Sequence, residues 1–203
     1  FNILLNFLSA DLSGVYLDVC KDRLYCDAKD APRRRSAQSA MAIITKALLP
    51  LIAPTLTYTV DEVMDYAPKI IKGEAKDAFD LVYEPIIFDL SFEDELLFAS
   101  REKFNEIVDV LKKDKKIKST LELSLETTSH NITSYDEREV ADLYMVSSVR
   151  PYDDSEPLAE FELEGDKFKI IASNLHKCPR CWKFNASKED ALCPRCEEVI
   201  SAK

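Results

Sequence analysis

Two closely spaced pairs of cysteines near the C-terminal end constrain this chain more than any other feature. The first pair lies in KCPRCW and the second in LCPRC, with eleven residues between them. In each pair the two intervening residues can turn back, so that both sulfurs reach one ion at about 2.3 Å. The four side chains belong to Cys178, Cys181, Cys193 and Cys196. Since four thiolates complete a tetrahedron, the sequence predicts one closed, structural Zn²⁺ site.

Other interpretations of the cysteines lack a suitable context. Disulfides require an oxidising compartment, and a redox Cys-x-x-Cys is expected near a βαβ pattern, which the sequence does not show. Cys20 and Cys26 are six residues apart, so on a helix they point about 120° away from each other. We therefore predict that both are buried free thiols rather than metal ligands. His176 lies close enough to Cys178 to compete as a ligand, but four cysteines already complete the set.

Composition excludes several classes of enzyme. The 203 residues include three glycines and two histidines. Neither a Gly-rich phosphate loop nor a Ser/His or Cys/His nucleophile pattern can be written with them, so we predict no catalytic residue. The formal charge of -10 argues against a non-specific nucleic-acid coat, although local basic clusters exist at 33–35 and 112–118. The acidic segment 153–166 is expected to face away from any polyanion.

The N-terminal sequence predicts neither a membrane span nor a secretory signal. No apolar run approaches the roughly 20 residues that a span needs, and a basic n-region is missing. The sequence begins at Phe1, inside a helical pattern, which predicts a piece of a longer protein.

Periodicity predicts a mainly α protein with a small α+β part. Residues 1–72 show apolar spacings of three and four, typical of an antiparallel helical bundle, with a first helix ending near Asp27. Thr59 and Glu62 have capping-box spacing. Residues 73–173 predict a small α+β domain, and residues 174–203 form the zinc-binding knuckle. An extended connection is expected at 81–88.

Four strands are predicted in the α+β domain. Apolar and polar residues alternate from Leu121 to Glu126, which indicates a half-buried strand. A second strand is expected at 145–149. The pair Gly165-Asp166, flanked by 160–164 and 167–172, indicates a tight hairpin.

Trp182, directly after the second cysteine, has two interpretations. It can close the knuckle as a lid, or it can serve as a stacking platform for an unpaired base. Four basic neighbours would assist the second role: Lys177, Arg180, Lys183 and Arg195. The run Lys21–Tyr25 is similarly open, since its charges are either ordinary exposed groups or the lining of a ligand surface.

Taken together, these segments carry a family resemblance. They occur in the order LSGVYLDVCKDRLYC, an Arg-rich loop, LLPLIAPTLTYTVDEVM, a small α+β unit, KCPRCW and LCPRC. This order resembles the C-terminal part of bacterial isoleucyl-tRNA synthetases over essentially the whole chain. Related synthetases for valine, leucine and methionine share the helical bundle, whereas the terminal four-cysteine knuckle with its tryptophan points to the isoleucine family.

The resemblance implies anticodon stem-loop binding to an isoleucine-accepting tRNA. In that class I family the catalytic and editing domains precede this region, and the parent enzyme attaches isoleucine to tRNA with ATP. HIGH and KMSKS-type motifs are absent, so this chain is expected to be inactive alone. The resemblance places zinc on the four cysteines and RNA contacts at Trp182 and its basic neighbours. Arg33 and Arg34 are further candidate contacts, and a cytoplasmic monomer without a membrane partner is implied.

Other functional classes remain open at the level of residues. A zinc-ribbon module on a helical bundle can bind DNA or a protein. The knuckle also resembles the zinc finger of formamidopyrimidine-DNA glycosylases, but their N-terminal proline and longer cysteine spacer are missing. A third possibility is an adaptor whose acidic surface binds a basic protein.

Overall fold

A computed structural model describes residues 1–85 and 94–202. The chain divides into two compact units, one made of Phe1–Asp27 with Glu93–Lys203 and the other of Ala28–Phe92. The predicted connection has no regular secondary structure at 81–85, where Leu81 is extended, and its apolar residues Ile86, Ile87 and Phe88 lie outside the described residues.

The first helix is continuous from Asn2 to Cys26 and ends where the periodicity predicted. Helix α1 (Asn2–Asn6) continues into a π-helical stretch (Phe7–Leu17) and then into helix α2 (Asp18–Cys26). Asp27 is extended, which ends the helix. We use the name first helix for the whole of Asn2–Cys26.

The first helix has a high average hydropathy. Among the described residues, this one helix is long and apolar enough to cross a membrane, with a mean hydropathy of 1.4 over its best 18-residue window. Polar residues interrupt its apolar ones, so the helix holds no unbroken apolar run of the predicted length, although its average hydropathy is high. Length and composition are weak evidence for a membrane span, since a helix of a soluble protein passes the same test.

The described part of the unit Ala28–Phe92 contains helices and no strand. It contains helices α3 (Pro32–Ile52), α4 (Thr57–Tyr66) and α5 (Lys69–Lys72) and a 3₁₀ turn (Ala78–Asp80). Leu49, Val60, Met64 and Ala78 form its buried core. The predicted capping box is wrong, because α4 begins at Thr57 and has no side-chain cap.

The other unit is built on a four-stranded mixed sheet. Its helices are α6 (Glu95–Lys113), α7 (His130–Ser134), α8 (Glu137–Leu143) and α9 (Pro194–Ser201), with a 3₁₀ turn at Thr120–Glu122. Its strands are β1 (Leu123–Thr127), β2 (Ser148–Pro151), β3 (Ala159–Leu163) and β4 (Asp166–Ala172), in the order β2-β1-β4-β3. Strand β1 pairs parallel with β2 and antiparallel with β4, which pairs antiparallel with β3.

The core of this unit lies between the sheet and its helices. Phe104 of α6 is fully buried and meets the Tyr144 ring edge to face, with ring centroids 5.3 Å apart. The Tyr144 hydroxyl lies 2.5 Å from the Ser100 hydroxyl, so this buried polar group is satisfied. Burial raises the pKa of Tyr144 to about 12.

Two strand predictions differ from the structure. Strand β1 is buried on both faces rather than half-buried, and its inward Glu126 accepts a hydrogen bond of 2.6 Å from the Ser155 hydroxyl. Strand β2 begins at Ser148 rather than at 145, because Met145 has a left-handed φ of 56°, which cannot continue a strand.

The predicted hairpin between β3 and β4 is present, with its turn one residue earlier. Glu164 and Gly165 have φ values of 53° and 87°. Two central residues with positive φ are what a type I′ turn requires. Gly165 is therefore the second turn residue, and Asp166 already belongs to β4.

The fold class is mostly helical with a small four-stranded sheet. The packing of the first helix into an antiparallel bundle at 1–72 remains a prediction. The predicted domain boundaries at residues 72 and 173 also remain predictions. The structure groups the first helix with the sheet-containing unit and α3 to α5 with the other.

Candidate metal centre and nucleic-acid interface

The knuckle, residues 174–202, is held by short-range backbone hydrogen bonds. His176 and Ala186 exchange two hydrogen bonds of 2.9 Å, which closes the loop around the first cysteine pair. Within this loop the Trp182 N–H donates to the Cys178 carbonyl at 2.9 Å. Trp182 has a φ of 66°, so the chain reverses directly after Cys181. The two intervening residues of the pair thus make the turn that the sequence predicted.

The four predicted ligands come together at one point. The sulfur atoms of Cys178, Cys181, Cys193 and Cys196 all lie within 4.8 Å of one another. The Sγ atoms of Cys181 and Cys193 are 3.7 Å apart. A regular tetrahedron with metal–sulfur bonds of about 2.3 Å has edges of about 3.8 Å. The donor set therefore fits a four-thiolate metal site.

Hydrogen bonds favour the thiolate form at this site. The Cys193 N–H lies 3.4 Å from Cys178 Sγ. Although burial acts to raise it, backbone hydrogen bonds from Cys181, Cys193 and Arg180 lower the pKa of Cys178 to about 6. Burial raises the pKa of Cys181. Since a thiolate is the ligand form, a metal cation would offset this desolvation.

The remaining cysteines and His176 stand outside the ligand set. Cys20 and Cys26 are buried free thiols, as predicted. Cys26 packs directly against the cluster of four cysteines, and burial raises its pKa to about 11. The side chain of His176 is exposed and does not join the four sulfurs.

Arg180 links the cysteine site to the end of the first helix. Its guanidinium donates to the Cys26 carbonyl at 2.6 Å and lies 3.4 Å from the Tyr25 carbonyl. The same Nη1 atom is 3.4 Å from Cys196 Sγ. These carbonyls belong to the last turn of a helix, where unsatisfied C=O groups attract a cation.

Arg195 makes a second link to the same helix end. Its two Nη atoms contact both carboxylate oxygens of Asp22, one of them at 2.7 Å, and Asp27 accepts at 3.3 Å. Although burial acts to lower it, hydrogen bonding to Asp22 raises the pKa of Arg195. A bidentate pair of this kind fixes orientation as well as charge.

Lys183 forms a buried ion pair with α8. Its Nζ lies 2.8 Å from Asp142, and the two side chains are 8% and 1% exposed. Arg23 of the first helix lies 3.6 Å from the other Asp142 oxygen and 2.8 Å from Glu139. Three of the predicted RNA-contact residues, Arg180, Lys183 and Arg195, thus bind protein groups that attach the knuckle to the fold.

Trp182 and Lys177 remain on the surface. The indole ring is 62% exposed, and Lys177 Nζ lies 5.6 Å from its centroid. Trp182 is therefore not a buried lid, and its accessible face suits stacking. Arg33 and Arg34 lie in the other unit, in the first turn of α3, and are half-buried. RNA contact by any of these residues remains a prediction.

Sequence reasoning missed the acidic partners of the knuckle. Asp22 and Asp142 are far from the cysteines in sequence, and no local spacing marks them as partners. Of the run Lys21–Tyr25, Lys21 and Tyr25 are exposed, but Arg23 is largely buried and ion-paired. The only sequence signal for these partners was an acidic residue placed one helical turn after apolar residues. Such a position does not identify the basic residue that the acidic side chain contacts.

Comparison with known proteins places this architecture in context. The family model described as anticodon-binding domain of tRNA ligase matches residues 1–132. Over 203 residues the chain is 98% identical to an isoleucine--tRNA ligase of Campylobacter concisus, and over 202 residues it is 75% identical to one of Campylobacter curvus. A relative from Sulfurovum sp. with the same name is 48% identical over 203 residues. The chain spans 22% of the length of each of these relatives.

Proposed function

Because this chain belongs to the anticodon-binding domain family of tRNA ligases, we propose that it recognises the anticodon stem and loop of an isoleucine-accepting tRNA. The observation that carries this proposal is the match of the family model to residues 1–132 together with whole-chain identity to proteins named isoleucine--tRNA ligase. The similarity extends through the knuckle, which the family model does not cover. Kinship with such enzymes supports a soluble protein, and we place it in the cytoplasm as a monomer.

The proposed role is one part of a larger enzyme. The chain spans 22% of its relatives' length, so the parent would carry catalytic and editing domains elsewhere. ATP-dependent attachment of isoleucine would take place there. Binding the anticodon far from the acceptor end contributes by selecting and positioning the tRNA, since a correctly held substrate lowers the entropic part of the barrier.

We assign Zn²⁺ to the four-cysteine site. Cys178, Cys181, Cys193 and Cys196 would fill all four positions, which leaves no open site for catalysis. Bound there, the ion would supply structural cross-linking only. The knuckle has few apolar residues of its own, so its fold depends on this cross-link and on the ion pairs to the first helix and α8.

Recognition would rest on splayed loop bases rather than on the RNA helix. The deep major groove of an RNA helix hides base edges, whereas single-stranded loop bases can be stacked and hydrogen-bonded. Trp182 offers an exposed ring for stacking, with Lys177 beside it. Since Arg180, Lys183 and Arg195 are used inside the protein, phosphate contacts are expected from other cations. Arg33 and Arg34 are candidates for contact with the stem.

A binding titration with a matched ring variant tests this proposal. Fluorescently labelled isoleucine tRNA is titrated with the wild-type chain, Trp182→Ala and Trp182→Phe at constant zinc. Stacking of one base contributes about 1–3 kcal/mol, or about 5- to 150-fold in affinity. Trp182→Ala should lose this affinity and Trp182→Phe should keep most of it. Equal binding of tRNA and duplex DNA would instead favour a general zinc-ribbon module.

A further inference from the structure

A cavity lies between the end of the first helix and the knuckle. Its volume is about 560 Å³, within the range of about 300–1,000 Å³ that small ligands occupy. Val19, Leu121 and Met145 contribute apolar surface to its lining. Two exposed aromatic side chains also line it: Tyr25 is 76% exposed and Trp182 is 62% exposed. The cavity is thus apolar inside and bordered by aromatic rings.

The carboxylates and lysines in the cavity wall are already paired, and Arg180 in the same wall donates to the Cys26 carbonyl. Asp22 is held by Arg195, and Asp142 is held by Lys183. Lys21 pairs with Asp18. A small anion or cation would therefore find no charge left to neutralise on these residues. The hydroxyls of Ser119 and Thr120 supply polar edges to the same lining, so a flat, neutral group with polar edges fits best.

A lysine-rich segment leads directly to this cavity. Five of the seven residues at 112–118 are lysines, and all five are exposed. Within the described part of the chain none of them forms an ion pair with a carboxylate. Lys118 immediately precedes Ser119 of the cavity lining. We call 112–118 the lysine segment. An exposed and unneutralised row of cations is what attracts a phosphate backbone.

We propose that the cavity receives one unstacked nucleobase of the bound RNA while the lysine segment holds the phosphates beside it. This inference rests on the proposed function and specifies where a loop nucleotide binds. It adds Tyr25, Ser119, Thr120 and the lysine segment to the interface. A flat base with hydrogen-bonding edges matches the lining, and its attached phosphate accounts for the adjacent positive charge.

Abasic substitution combined with a cavity-filling variant tests the proposal. The 203-residue chain is titrated with anticodon stem-loops that lack one loop base at a time. For the wild type, removal of the base that enters the cavity should weaken binding about 5- to 150-fold. The variant Thr120→Trp fills the cavity and should bind the intact loop about 5- to 150-fold more weakly than the wild type does. For this variant, removing the base at the sensitive position should cause no further loss of affinity. Ser134→Trp, at an exposed site outside the cavity lining, should retain the wild-type profile.

Two outcomes separate the inference from the proposed function. If the wild type binds the stem-loop and Thr120→Trp keeps the same abasic profile, no base enters the cavity and the inference is overturned alone. If the wild type binds no stem-loop at low salt, the proposed function fails and the inference fails with it. Tyr25→Ala provides a second variant that does not change the buried packing, because the Tyr25 ring is 76% exposed. Loss of this ring should reduce the loss of affinity caused by removing the base at the same abasic position.

Salt dependence tests the lysine segment independently. Each phosphate contact to single-stranded nucleic acid contributes about 0.7 to the slope of log affinity against log salt. Lys116→Gln/Lys118→Gln should therefore reduce the slope by up to about 1.4. The matched control Lys103→Gln/Lys167→Gln removes the same charge elsewhere on the unit and should leave the slope nearly unchanged. Equal slopes for the two double variants would overturn this part.

Discussion

Breaking the buried ion pair between Lys183 and Asp142 should destabilise the knuckle strongly. The two groups are 2.8 Å apart and almost fully buried, so Lys183→Met leaves a carboxylate without its main partner. Removing one member of such a pair costs about 3–5 kcal/mol. Arg23 stays 3.6 Å from Asp142 and offsets part of this loss, so the expected cost is about 3 kcal/mol.

The measurement is urea unfolding at constant free zinc, followed by the fluorescence of Trp182, the one tryptophan in the sequence. Zinc is held constant because a ligand that binds the folded state adds to apparent stability. In a thermal melt the same loss corresponds to a shift of about 6–12 °C. The double variant Asp142→Leu/Lys183→Met removes both charges and should fall within about 1.5 kcal/mol of the wild type.

Lys188→Met is the matched control, since Lys188 is an exposed lysine of the knuckle. A surface substitution of this kind should change stability by no more than about 0.5 kcal/mol. A cost below about 1 kcal/mol for Lys183→Met would refute the reasoning. It would mean that water reaches Asp142 and solvates its charge.

Three further predictions concern the metal, pH and the second ion pair. Chelating zinc should abolish the near-ultraviolet signal of Trp182 while the far-ultraviolet helical signal largely remains; loss of all helicity would show that the knuckle does not unfold separately from the helices. Burial raises the pKa of Tyr144 to about 12. The contribution of the neutral Tyr144 to the free energy of unfolding is therefore complete below pH 10 and is lost as pH rises from 10 to about 12. Stability should therefore fall by about 1.4 kcal/mol per pH unit in that window, and Tyr144→Phe should flatten the fall; an unchanged slope would contradict this. Arg195→Lys cannot make both contacts to Asp22, so amide exchange at the end of the first helix should accelerate, and wild-type rates would argue against the link.

The metal site could be predicted from the sequence because its information is local. Each Cys-x-x-Cys pair fixes its own turn, and the structure needs only to bring two such turns together. Trp182 was equally local, since it follows Cys181 directly. The burial of Cys20 and Cys26 also followed from their helical positions, although the packing of Cys26 against the four ligands did not.

The roles of the basic residues could not be predicted in this way. Arg180, Lys183 and Arg195 lie beside the cysteines, but their partners belong to the first helix and α8. Such pairs depend on tertiary packing, which no spacing in one sequence reveals. The burial of strand β1 also depends on tertiary packing. The alternation of apolar and polar residues at 121–126 had suggested that one face of the strand is exposed. The partners of Glu126 come from the loop before β3 and from β2, so the polar side chain is satisfied within the fold.

Recognition of the anticodon is the central claim, and a binding comparison tests it most directly. The affinity of this chain is measured for isoleucine tRNA and for an anticodon-swapped version at two salt concentrations. Contacts with phosphate weaken alike for both RNAs as salt rises, whereas contacts with bases depend on the anticodon. The account predicts a preference for the native anticodon that persists at the higher salt concentration. Equal affinities that fall together with salt would contradict it, because the chain would then bind only the RNA backbone.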